Sequence, residues 1–280
     1  MSNNDYCLNK AAPPGSNLYY CLLFYPQKLK DSLYTLHAFA IEIGDILIEC
    51  SDPGVARIKL HWWHEEIQRI YTDQARHPVG KAITSHLQSF NLKEELLHQY
   101  VNFNEQILDS QHIPNSEALT SILQQGPGLI WEINAEICGY SDQNTSMLAN
   151  KTGCMIFTYE YLQNIFKHAT SGKLLWPEDE IKKAGLTPAD FSNLHSDKLH
   201  EFIIEQVQTI THDLDKIYAE FPAKDRHSQL SCLIINRLIK SHCNEIVKDN
   251  INLQYNKIIL TPLHKLWISW RTKRQVNSEW

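Results

Sequence analysis

The chain has 280 residues, 43% of them hydrophobic and 21% charged, with a formal net charge of −6. That balance suits a globular protein with a substantial core, and the acidic charge gives no reason to expect a nucleic-acid partner. The 10 glycines and 11 prolines argue against a turn-rich all-β fold, and no run approaches the roughly 18 apolar residues of a membrane span.

The opening "MSNNDYCLNKAAPPGS", residues 1–16, has neither a hydrophobic signal core nor an Arg-rich transit character, and it reads as a disordered lead-in. From residue 17 helical periodicity dominates. It predicts helices at 17–24, 30–50, 54–72, 78–89, 92–110, 116–138, 142–169, 187–220, 225–248 and 260–271. Breakers part them: Pro26, "SDPG" at 51–54, "HP" at 77–78, "HIPNS" at 112–116, "CGYSD" at 138–142, "SGKLLWP" at 171–177 and "FPAKD" at 221–225. With no long linker and no repeat, residues 17–280 read as one all-α domain. The seven cysteines are scattered and include no CxxC pair, which suits reduced thiols and a cytoplasmic setting.

The helix at 30–50 contains "HAFAIEIGDILIECSDPG", His37 to Gly54. At about 100° per residue, Glu42, Asp45 and Glu49 fall within roughly 60° of one another, an acidic stripe on an apolar helix. Phe39, Ala40, Ile43, Ile46 and Leu47 take the opposite arc, while Ile41, Gly44 and Ile48 form a third strip beside the acids.

In "LHWWHEEIQRIYTDQARHPV", Leu60 to Val79, Glu65 and Arg69 form an i,i+4 pair worth a few tenths of a kcal/mol. His61, His64 and Glu65 have a spacing open to a metal ion. The other reading is a half-exposed helix with its tryptophans turned inward, and no second HxxxH or Cys pair supports the metal. Further on, Glu160, Asn164 and His168 recur every four residues on a helix rich in Phe, Tyr, Ile and Leu. Taken alone, such a stripe is more often a solvated edge than a site.

The C-terminal "TPLHKLWISWRTKRQ", Thr261 to Gln275, holds Lys265, Arg271, Lys273 and Arg274 with no acid. Leu263, Leu266, Trp267 and Trp270 share one helical face. That face docks on the core in the commoner arrangement, while a membrane interface is the other use of a basic, Trp-bearing helix.

Several of these stretches together resemble the squalene/phytoene synthase family of head-to-head prenyl transferases. From Gly153 the family pattern G-x-A-x-Q-L-x-N-I-L-R-D-V-x-E-D, then G-R-x-Y-L-P, overlays without a gap, with Gly153, Gly172, Lys173 and Pro177 on its Gly, Gly, Arg and Pro. "LYTLHAFAIEIGDILIE" resembles L-Y-A-F-C-R-x-V-D-D-x-x-D-E, and "LHWWHEEI" with "HPV" resembles L-x-x-W-R-x-E-L and H-P-V. The resemblance covers residues 17–250. It implies an all-α, isoprenoid synthase-like bundle around a central cavity. Two aspartate-rich helices there hold Mg²⁺ ions that neutralise substrate diphosphates. The stretches "YYCLLFYP", "AFAIEI" and "WW" are also similar to complex I assembly factors built on the same fold.

The overlay is broken where the family binds metal. The first motif's paired aspartates fall on Gly44 and Ile48 and its arginine on Ile41, while Asp45 and Glu49 overlay acidic positions turned away from the metal-binding face. The second motif becomes Glu160, Asn164 and His168, with Gln163 in place of its arginine. The resemblance with these departures implies a non-catalytic protein without a metal cofactor, acting in lipid binding or assembly of a membrane or respiratory complex. Its partners would be an isoprenoid or lipid ligand and a membrane-complex subunit, with peripheral membrane contact through 261–275. His37, Phe157, Tyr161 and Lys173 would meet the ligand, and Ile41, Ile48, Phe157 and Tyr161 would line a cavity or simply fill it. The alternative is an active Mg²⁺-dependent prenyl transferase with Asp45, Glu49, Glu160 and His168 as relocated ligands.

Overall fold

Helical periodicity becomes helix among the described residues, seen in a computed structural model that describes residues 2–90, 92–110, 112–170, 174–193, 196–248 and 259–278. In chain order the elements are α1 (Asn3–Ala11), α2 (Asn17–Leu22), α3 (Gln27–Glu49), α4 (Pro53–Tyr71), α5 (Pro78–Phe90), α6 (Glu94–Asp109), α7 (Ser116–Gln125) and α8 (Pro127–Cys138). There follow α9 (Gln143–Gln163), α10 (Ile165–Thr170), α11 (Glu178–Lys183), α12 (Pro188–Ser192), α13 (Asp197–Glu220), a 3-10 turn (Ala223–Asp225), α14 (Leu230–Lys248) and α15 (Pro262–Ser278). Among the described residues there is no strand, and none of their helices is long and apolar enough to cross a membrane.

The expected disordered lead-in is instead an ordered helix. Ser2 and Asp5 form a capping box that satisfies the first free N–H groups of α1. Cys7 and Ala11, one turn apart, are buried as α1 packs on α3 and α5. Small buried side chains between polar ones give no strong apolar signal, which is why the segment reads as coil.

Three predicted helices are interrupted. The helix expected at 116–138 divides at Gly126, where a Cβ would stand 2.4 Å from the Phe103 ring, and Pro127 starts α8. The helix expected at 142–169 ends at Gln163. Asn164 leaves helical geometry, its Nδ2 donates to the Glu160 carbonyl at 2.8 Å, and α10 sets off separately. The helix expected at 187–220 divides into α12 and α13. Gly153 explains the closeness of α8 and α9, because a Cβ there would lie 2.2 Å from the Pro127 carbonyl oxygen.

The buried apolar side chains form one hydrophobic cluster. Within it α14 buries every residue from Leu230 to Asn236. On α4, the fully buried Glu66 accepts from the backbone N–H of Arg76 at 2.6 Å and of His77 at 2.7 Å, and from Arg69 Nε at 2.8 Å. The Glu of the "LHWWHEEI" stretch thus holds the turn carrying "HPV". A buried carboxylate with three donors is stable only with all of them in place.

Candidate functional site

A cavity of about 420 Å³ lies between α3, α6 and the α9–α10 segment. Its α3 wall includes Ile41, Gly44 and Ile48, the strip on which the family's first motif falls. Phe157, Glu160, Tyr161, Asn164 and His168 form the facing wall. The side chains therefore line a void and do not close it. A second cavity of about 330 Å³ shares Ile41, Tyr100, Phe157 and Glu160 with the first and extends to His37 and Trp131.

The acidic stripe on α3 is bound to α1. Lys10 Nζ lies 2.9 Å from Asp45 Oδ2 and 3.3 Å from Glu42 Oε1. Tyr6 donates its hydroxyl to Glu42 Oε1 at 2.5 Å, a bond that pushes the phenol up to about 12. Asp45 touches the cavity at its rim, whereas Glu49 is exposed and lies outside the lining.

Glu160 lines both cavities. Water reaches its side chain within the hollow, yet protein surrounds it, and this desolvation raises the carboxyl to about 7. His168 stacks face to face on Tyr161 with centroids 4.2 Å apart, and burial, helped by Lys167, lowers its pKa. The Tyr161 hydroxyl accepts from the Leu175 N–H at 2.6 Å, fixing the ring. Gln163, at the position of the family arginine, donates to the Tyr159 hydroxyl.

His37 belongs to a different neighbourhood. Its Nε2 shares a hydrogen bond with Asn134 Oδ1 at 3.1 Å, Asn134 donates onward to Ser231, and the ring meets Trp131 edge-on. Burial lowers its pKa to about 4, so it is neutral at physiological pH. It lines the second cavity and not the first. Lys173 and Gly172 lie outside the described residues.

Donor chemistry in the larger cavity does not fit the Mg²⁺ cluster that the family resemblance implies. Mg²⁺ calls for carboxylate oxygens. Here the lining offers two carboxyl groups, Asp45, already paired to Lys10, and Glu160. Among the described residues no group of three or more His, Cys, Asp or Glu is placed to hold a metal ion. Of His61, His64 and Glu65, His61 Nε2 reaches Glu65 Oε1 at 3.9 Å, but the three do not converge. His64 turns to α6, where its Nδ1 lies 2.7 Å from that of His98, while His61 stays exposed.

Two groups of residues were missed in the sequence. Tyr100, Phe103, Asn104 and Ile107 of α6 supply a third cavity wall. Their i, i+3, i+4, i+7 spacing was visible but did not say what it faced. Tyr6 and Lys10 sit in the segment read as coil. Its Ser2-x-x-Asp5 start was the available signal.

The profile of the squalene/phytoene synthase family matches residues 11–263 of the chain. Over 210 residues the chain is 23% identical to the human NADH dehydrogenase (ubiquinone) complex I, assembly factor 6, covering 75% of this chain and 63% of that protein. It therefore spans less than two thirds of that relative's length. A presqualene diphosphate synthase from Sinorhizobium fredii is 22% identical over 186 residues, 66% of each protein. Among solved structures, a dehydrosqualene synthase in complex with ligand superposes with a TM-score of 0.82 at 12% identity, covering 99% of this chain and 97% of the other. The squalene synthase HpnC from Alicyclobacillus acidocaldarius gives 0.71 at 16% identity, covering 91% and 95%. These two likenesses speak for the fold.

Proposed function

The chain belongs to the squalene/phytoene synthase family, and from that premise we propose that it retains the family's hollow as a binding site for an apolar chain without the metal-dependent chemistry. The observation that carries the reading is the α3 wall. Ile41, Gly44 and Ile48 occupy the strip that would carry metal-binding acids, and Asp45 beside them is engaged by Lys10. An apolar hollow with a few polar groups suits a prenyl or acyl tail. Glu160 suits it too, because a carboxyl that is half protonated near pH 7 tolerates an apolar neighbour.

The similarity to a complex I assembly factor supports a role in the assembly of a membrane or respiratory complex. In that role the partners are a lipid or isoprenoid and a subunit of the complex, with peripheral membrane contact through residues 261–275. Native mass spectrometry of the full chain from its host tests the proposal. A co-purified lipid, lost in Ile41→Asp and Phe157→Asp variants that still fold, is the expected result. A ligand-free protein that also takes up no added farnesol or fatty acid would count against it.

A second reading has one specific observation behind it. Asp45, Glu160 and His168 border one cavity and Glu49 does not, so a transferase with relocated ligands would draw on those three. Calorimetric titration with Mg²⁺ separates the two readings. Binding that is lost in Glu160→Gln supports the transferase.

A further inference from the structure

Helix α15 is packed with its faces exchanged. At about 100° per residue, Lys265, Ile268, Ser269, Thr272 and Val276 share one side of the helix. That is the side buried against α14 and α2. Ser269 and Thr272 close on their own helix through the carbonyls of Lys265 and Ile268, and Lys265 Nζ donates to the Gly15 carbonyl at 2.9 Å. The opposite side carries the large apolar groups, expected to dock but turned to solvent: Leu263 is 78% exposed, Leu266 43%, Trp267 49% and Trp270 48%. A helix that buries its hydroxyls and exposes two tryptophans and two leucines leaves an apolar face needing a cover.

The charges around that face indicate its cover. Arg271 and Lys273 flank the apolar arc on either edge, and Arg274 lies within it one turn on. Arg271 stands over the Trp267 ring at 5.0 Å and Arg274 over the Trp270 ring at 5.4 Å. Arg271 and Arg237 also line a cleft of about 340 Å³ beside the helix, in which Lys240 is paired with Asp215. A second copy docked through this same face would set cations against cations. An anionic bilayer meets both demands, because indole rings settle at headgroup depth and arginines above them meet lipid phosphate.

We infer that the Leu263, Leu266, Trp267 and Trp270 face of α15, with Arg271 and Arg274, docks the protein on anionic phospholipid membranes. The inference rests on the membrane part of the reading above and is independent of what the cavity holds. Flotation of the full chain with phosphatidylcholine vesicles, with and without phosphatidylglycerol, tests it. The protein rises with the anionic vesicles only, and added salt releases it. Arg271→Glu with Arg274→Glu lowers vesicle binding roughly tenfold or more. Trp267→Ser with Trp270→Ser lowers it at low salt as well. All four positions are exposed, so both variants retain the helical circular dichroism of the parent.

The inference is overturned if the protein stays at the bottom of the gradient with anionic vesicles at low salt, or if both double variants float as well as the parent. It is also overturned if sedimentation finds a dimer that Trp267→Ser with Trp270→Ser dissociates, since a second copy would then be the cover. Lipid retained in the cavity of the α15 variants, read by native mass spectrometry, separates failure here from failure of the cavity reading.

Discussion

Lys10 of α1 lies 2.9 Å from Asp45 of α3, which makes an acid at the rim of the cavity part of a helix–helix contact. Lys10 also reaches Glu42, so one lysine answers two carboxylates and α1 is pinned along the stripe. The pair is partly exposed, and its contribution is about 1 kcal/mol or less. Asp45→Asn and Lys10→Met are therefore expected to destabilise by similar small amounts in urea unfolding, and the double variant by less than their sum. Full additivity would mean that the contact carries no energy.

Glu160 gives a pH dependence of definite sign. Its carboxyl is raised from 4.5 to about 7 by desolvation, so the folded protein holds a proton that the unfolded chain has released. Stability from this group is present below about pH 4.5 and declines as pH rises to about 7. Glu160→Gln removes the decline. The difference in Tm between variant and parent should widen in the variant's favour across that window and then level off. A constant difference would show that Glu160 is ordinarily solvated.

Restoring the family's aspartates tests the register of the overlay. A Cβ on Gly44 meets nothing within 4 Å, so an aspartate there stands in open space at the cavity wall. Gly44→Asp, Ile48→Asp, Asn164→Asp and His168→Asp together should raise Mg²⁺ affinity in calorimetry. If a folded quadruple variant binds no better than the parent, the register is wrong.

Gly153 should be irreplaceable for packing. With the Pro127 carbonyl 2.2 Å from the place of a Cβ, Gly153→Ala forces α8 and α9 apart. The expected cost is about 1–3 kcal/mol, read as a fall in the denaturant midpoint. An unchanged midpoint would mean that the contact gives way freely.

The α3 strips were readable in the sequence because a helix of period 3.6 sorts Ile41, Gly44 and Ile48 from the acids whatever surrounds it. What each strip faces is a tertiary fact. Asp45 meets Lys10 across 35 positions of sequence, from a segment whose only local sign was a capping pair. The break at Asn164 depends on a side chain taking over a backbone role, which periodicity does not register. For α15 the two faces were correctly separated, and the wrong one was assigned to the core. Amphipathicity says that a helix has two sides, and only packing shows which one is covered.

The central claim is that the cavity holds an apolar chain without turning over a prenyl diphosphate. Its most direct test is incubation of the full chain with labelled farnesyl or geranylgeranyl diphosphate and Mg²⁺, followed by extraction and chromatography. The expected result is substrate recovered intact, with no diphosphate released. Formation of a head-to-head condensed hydrocarbon, or of its cyclopropyl diphosphate precursor, would contradict the account and restore the transferase reading.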